Sequence, residues 1–119
     1  MDSKDLKKRT KQFAHQCVRF AQNLPTDRVG NHIHGQLIRA STSVAAYYRA
    51  ACLAQSKRSY IAKLSIVIEE VDESEFWLEF SLDENLCSKN ICVELMDEAR
   101  QLTSIFIASR KTASENLDK

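Results

Sequence analysis

The stretch ASTSVAAYYRAA, residues 40–51, decides the fold of this chain. Its alanines favour a helix, yet small side chains fill nearly every turn, so the helix needs partners to pack against. From about Arg28 to Gln55 the apolar positions follow the 4,3,4,3 spacing that is typical of a coiled-coil seam. The inward positions are Ile33, Leu37, Ala40, Val44, Tyr47 or Tyr48, and Ala51. We therefore predict a long second helix that packs on a bundle core.

The segment before this helix is an amphipathic helix from Lys4 to Leu24, since its residues divide into two faces at 100° per residue. The apolar face holds Leu6, Phe13, Cys17, Phe20 and Leu24. The opposite face holds Lys4, Lys8, Lys11, His15 and Arg19. Pro25 ends the helix, and Thr26 or Asp27 can cap the next one.

Two more helices follow in the second half of the chain. Ser56 or Ser59 can cap a third helix that runs to about Phe80, where SLDEN interrupts the pattern, and Ser88 can cap a fourth. The inward positions of the third are Tyr60, Leu64, Val67, Val71 and Leu78. Those of the fourth are Ile91, Leu95, Ala99, Leu102, Ile105 or Phe106, and Ser109, before a polar tail from about residue 111.

The composition of the chain supports one all-α domain. Its 119 residues fit a single domain, and two Gly and one Pro are too few for the many turns of a sandwich or barrel. Helices of this length with short connections predict an antiparallel up-and-down four-helix bundle over residues 1–119. The chain has no apolar secretory leader and no run of about 18 apolar residues, so we expect a cytoplasmic protein.

The residues that carry chemistry do not form a recognisable catalytic or metal site. The four cysteines contain no CxxC pair and stand in helical, apolar contexts, so we interpret them as reduced packing residues. None of the three histidines follows an acidic residue by three positions, as a di-iron bundle would require. No phosphate-binding loop, nucleophile elbow or HExxH motif occurs. The sequence predicts no enzyme activity, no catalytic residue, no metal and no cofactor.

The second helix carries another series of small or polar residues opposite the core. This stripe, again at 4,3,4,3,4 spacing, consists of Gly35, Arg39, Thr42, Ala46, Arg49 and Leu53. Small residues allow close approach of another backbone, and arginines can anchor pairs across an interface. An exposed alanine-rich helix is the alternative, although Gly35 would then weaken the helix by about 1 kcal/mol.

The third helix offers a surface that could receive this stripe. Residues 1–60 hold 11 Lys+Arg against 3 Asp+Glu, a net charge of +8, whereas residues 61–119 hold 6 against 13, a net charge of −7. The outward strip of the third helix holds Glu69, Glu70, Glu73, Ile66, Trp77 and Phe80. Arg39 and Arg49 could reach these carboxylates in a neighbouring subunit, which would give a head-to-tail assembly. Alternatively, the charges pair within one bundle.

Three stretches of the chain resemble a known family. These are LKKRTKQFA, the segment from Gln36 to Glu79 and ELMDEARQLTSIFIASRKT. Together they look like the four-helix-bundle proteins first noted as products of intervening sequences in bacterial 23S ribosomal RNA genes. The resemblance implies a bundle that assembles into a homopentameric ring. It also implies kinship with accessory proteins of diversity-generating retroelements, which bind nucleic acid and a reverse transcriptase.

Two classes of function follow for such a protein. In the first, a ring binds RNA or DNA through a basic ridge on the first helix, made of Lys4, Lys8, Lys11 and Arg19. In the second, the ring is a scaffold for a protein partner and does not bind nucleic acid. No membrane partner is expected.

Overall fold

Four α-helices make up the structure, a computed structural model that describes residues 1–117. Helix α1 spans Ser3–Gln22, α2 spans Arg28–Cys52, α3 spans Lys57–Asp83 and α4 spans Lys89–Leu117. No strand occurs within this range. The predicted all-α fold with four helices is confirmed.

The structure shows which of the predicted residues cap the N-termini of α2 and α3. The Asp27 carboxylate accepts a hydrogen bond from the backbone N–H of Gly30 at 2.8 Å, and the Ser56 hydroxyl accepts one from Ser59 at 3.1 Å. Each bond satisfies a donor that the first turn of a helix leaves without a partner. Asp27 and Ser56 are therefore the caps of α2 and α3.

The helices pack around one core in the order of the chain. Each contacts its neighbours in sequence, and α1 also contacts α4, although much less extensively. His32, near the start of α2, meets Trp77 in the last turns of α3, whereas Arg39 farther along α2 meets Glu70 earlier in α3. These contacts run in opposite directions along the two helices, as in an antiparallel pair. The bundle is elongated, with extents of 52 × 21 × 21 Å.

The inward positions are mostly those that the periodicity predicts. Tyr48 is 3% exposed and faces Phe106, with ring centroids 5.1 Å apart, while its neighbour Tyr47 is 40% exposed. The prediction for Ile91 is wrong, because this side chain is 55% exposed beside the loosely packed α1–α4 edge. The buried core includes Phe13, Cys17, Ile33, Leu37, Val44, Leu64, Val67, Val71, Leu78, Ala99, Leu102 and Phe106.

Helix α4 continues beyond the predicted start of a polar tail near residue 111 and reaches Leu117. Its last turns lie against the first turns of α3, where Lys57 Nζ donates to the Asn116 carbonyl at 3.4 Å. Tyr60 and Ala113 line one shallow depression there. Packing against α3 stabilises these last turns of α4.

Between α3 and α4 the chain turns at Asn85, which has a left-handed φ of 58°, a conformation that asparagine tolerates.

Candidate interaction surfaces

The side chains of the basic ridge on α1 are exposed to solvent. Lys4, Lys8, Lys11 and Arg19 are all exposed and lie on one side of the helix. None of the four makes an ion pair with another residue of the described range 1–117. Arg9 behaves differently, because its guanidinium binds both carboxylate oxygens of Glu98 at 2.6 and 2.7 Å. The four ridge cations are thus available to a ligand.

The predicted stripe on α2 also faces outward in the single chain. All six members, Gly35, Arg39, Thr42, Ala46, Arg49 and Leu53, are exposed. A Cβ atom added at Gly35 would meet nothing within 4 Å, so the chain's own packing gives no reason for glycine there. The Thr42 hydroxyl donates to the Ile38 carbonyl of its own helix at 2.7 Å. No long side chain therefore projects from the stripe at this position.

The structure assigns Arg39 to the second of the two alternatives for its charge partners. Its guanidinium pairs with Glu70 at 2.9 Å and with Glu73, and both carboxylates belong to the same chain. The expected contact of Arg39 with these residues across a subunit boundary is therefore replaced by one within the bundle. Arg49 has no ion pair with a described residue. The Arg39 pairs join the α2 stripe and the α3 strip into one continuous face.

An aromatic cluster occupies this face toward the end of α3. Trp77 is half-buried, and its ring centroid lies 5.4 Å from that of His32 and 6.1 Å from that of Phe80. Phe76, which the sequence reasoning missed, is 50% exposed and lies 4.9 Å from Trp77. Its position four residues before Phe80 is the helical spacing that could have revealed it. Ile66, in contrast, is half-buried.

The same helix carries carboxylates that the bundle does not use. Glu69, Asp72, Glu79 and Asp83 are exposed and form no ion pair with a described residue. At 100° per residue they lie within about 60° of Phe76 around the helix. Together with Phe76 and Phe80 they form what we call the acidic-aromatic stripe.

On the opposite edge of the bundle a groove opens between α1 and α4. It has a volume of about 580 Å³ and begins where the Arg9–Glu98 bridge ends. Its lining is Gln12, Gln16, Arg19, Phe20, Asn23, Cys87, Ser88, Ile91, Glu94, Leu95 and Glu98. The groove therefore combines an apolar floor with one cation, Arg19, on its α1 side and two carboxylates, Glu94 and Glu98, on its α4 side.

The cysteines and histidines do not gather into a metal site. No group of three or more His, Cys, Asp or Glu side chains in residues 1–117 is placed to hold an ion. All four thiols are free, and Cys92 donates to the Leu78 carbonyl at 3.0 Å. Burial raises the pKa of Cys92 to about 12 and also raises the pKa of Cys17. Neither thiol is therefore activated as a nucleophile. No helix in the described range could span a membrane.

Comparisons with known proteins agree with this architecture. The chain is similar to a crystal structure of a protein of unknown function from the S23 ribosomal protein family of Bacteroides thetaiotaomicron, with 25% sequence identity and a TM-score of 0.85. The match covers 93% of this chain and 99% of that one. No curated protein matches the chain. The family model described as 23S rRNA-intervening sequence protein matches residues 3–108, and this chain therefore belongs to that family.

Proposed function

We propose that this protein is a non-enzymatic homo-oligomer that binds nucleic acid along α1. The observation that carries the proposal is the basic ridge, whose Lys4, Lys8, Lys11 and Arg19 are exposed and have no partner in the described chain. Unpaired cations on one helix face can bind the phosphate groups of a nucleic-acid backbone. Such contacts contribute affinity that does not depend on the base sequence.

Assembly would make this ridge more effective. A single α1 offers few phosphate contacts, whereas several copies held in one ring multiply them and raise the overall affinity. The open space around Gly35 and the exposed aromatic rings of Phe76 and Phe80 support a subunit contact on the α2–α3 face. A pentamer, which the family resemblance implies, is the form we expect.

Salt-dependent binding is the direct test of the nucleic-acid function. We expect the protein to bind RNA, duplex DNA or an RNA–DNA hybrid at ~50 mM salt and to lose affinity steeply as salt rises. Lys4→Gln, Lys8→Gln and Lys11→Gln together should weaken binding similarly for unrelated sequences and flatten the slope of affinity against salt. Arg19 is left unchanged because it also lines the groove.

A matched control separates the ridge from net charge. Arg28→Gln, Arg58→Gln and Lys111→Gln remove the same charge from exposed positions on α2, α3 and α4, and should change binding much less. Equal loss in both triple variants would show that net charge, not the ridge, attracts nucleic acid. If the wild-type protein binds none of the three probes at ~50 mM salt, the nucleic-acid function is refuted.

A protein-interaction scaffold is the second candidate, and the acidic-aromatic stripe favours it. Its four unpaired carboxylates would repel nucleic acid and suit a basic protein surface. The resemblance suggests a reverse transcriptase as such a partner. In this case the ridge triple variant would keep partner binding, and loss would follow changes on α3.

A further inference from the structure

The acidic-aromatic stripe exposes aromatic rings and carboxylates that have no partner in the described chain. Phe76 and Phe80 expose 50% and 38% of their surface beside four carboxylates that have no ion pair in the described chain. A partner that covers these rings must also approach the carboxylates. A second stripe cannot be that partner, because it would bring like charges together. The stripe therefore needs a surface that is apolar and carries cations.

The α1–α4 groove offers an apolar floor and has a cation on its α1 side. Ile91 is 55% exposed on its α4 wall, and Phe20 and Leu95 lie on its floor. The α1 side supplies Arg19 and continues into the basic ridge. Of the two acids in the lining, Glu98 is held by Arg9, whereas Glu94 on the α4 side is exposed and has no ion pair with a described residue. Its volume of about 580 Å³ is within the range in which proteins enclose ligand groups.

The stripe and the groove lie at the same end of the bundle. Phe76 and Phe80 lie in the last turns of α3, and the groove contains the last turns of α1 and the first turns of α4. In an antiparallel bundle these segments share one end. They occupy opposite edges, because α3 packs against α2 and α4 and has no substantial contact with α1.

We propose that Phe76 and Phe80 of one copy enter the α1–α4 groove of a second copy, with the stripe carboxylates beside these rings facing Arg19. The three lysines of the ridge lie outside the groove and remain available to nucleic acid. The proposal rests on the homo-oligomer of the proposed function and identifies its contact. Such a contact is head-to-tail, since two different surfaces meet. Because both surfaces lie at the same end, successive copies stay level along the bundle axis, which a closed ring requires and a helical filament does not.

The test uses one variant on each side of the contact. Phe76→Glu disables the stripe but leaves the groove intact, whereas Ile91→Glu disables the groove but leaves the stripe intact. Both side chains are at least half exposed, so the bundle itself should fold. Each variant alone should sediment as a monomer of about 13.6 kDa. Mixed together, they should form a one-to-one heterodimer and nothing larger, because only one competent stripe and one competent groove remain.

A control and a spectroscopic signal complete the experiment. Ile107→Glu places the same charge at another exposed isoleucine of α4, outside the groove, and should leave the wild-type mass unchanged. Trp77, the only tryptophan of the chain, touches Phe76. Its emission should shift to shorter wavelength when the two variants are mixed and not when either is diluted alone.

The outcomes separate this proposal from the one on which it rests. A monomeric wild-type protein would overturn both the oligomer and the contact. A wild-type oligomer that persists in both glutamate variants would overturn the contact alone. Monomeric variants that do not combine on mixing would also overturn it, because the contact would not then be formed by these two surfaces.

Discussion

Gly35 gives the sharpest quantitative test of the α2–α3 face. In the isolated chain a Cβ atom at this position meets nothing within 4 Å, so Gly35→Ala should stabilise α2 by about 1 kcal/mol through helix propensity alone. An unfolding entropy of about 2.1 cal/mol/K per residue gives roughly 0.25 kcal/mol/K for 119 residues. The expected rise in Tm is therefore about 4 °C, provided that the chain is monomeric.

The measurement needs a background in which subunit contacts are absent. We would introduce Gly35→Ala into the Phe76→Glu variant and follow thermal unfolding by far-UV circular dichroism. In the otherwise wild-type chain the same change should instead weaken assembly, because the added methyl group stands where a neighbouring backbone would approach. A lower Tm in the monomeric background would refute the propensity argument. Unchanged self-association in the wild-type background would show that Gly35 does not face a neighbour.

Gly30 is the matched glycine control on the same helix. A Cβ atom there would lie 1.8 Å from the carbonyl oxygen of Pro25, so the turn between α1 and α2 would have to shift. Forced contacts of this kind cost about 1–3 kcal/mol. Gly30→Ala should lower Tm by about 4–12 °C on the same scale, opposite in sign to Gly35→Ala.

Three further predictions concern the bundle core and its closure. Tyr48→Ala should cost about 3–5 kcal/mol in urea unfolding because the ring is buried, whereas Tyr47→Ala should stay within about 0.5 kcal/mol in a monomeric background. The contribution of Cys92 to the free energy of unfolding, measured against a Cys92→Ala variant, should be constant below the ordinary thiol pKa and fall from there toward pH 12. The unfolded chain ionises Cys92 in that interval, while the folded chain keeps it protonated. Arg9→Gln should cost about 1–2 kcal/mol, since it breaks the two-bond contact with Glu98, and a salt-insensitive loss would contradict an ionic origin.

Periodicity could predict the core because burial of a helix face depends mainly on the chain's own pattern. It selected Leu37, Val44 and Leu64, which are fully buried. It could not choose between Tyr47 and Tyr48, because adjacent residues differ by only 100° and both aromatic rings suit a core edge. It placed Ile91 inward because the spacing fits, but α1 and α4 do not close together at that level. The separation of two helices distant in sequence is not encoded in the period of either one.

The charge pattern predicted partners but not which chain would supply them. Arg39 and the α3 carboxylates are complementary whether they meet within or between subunits, and only the packing of α2 on α3 decides that they meet within one chain. That result changes what assembly requires. The acids used by Arg39 are no longer available to a neighbour, whereas Glu69, Asp72 and the residues beside Phe76 are. The surface that needs a partner is therefore the outer side of α3, and Arg19, the cation that we propose faces it, lies on α1, the helix that α3 does not contact within its own bundle.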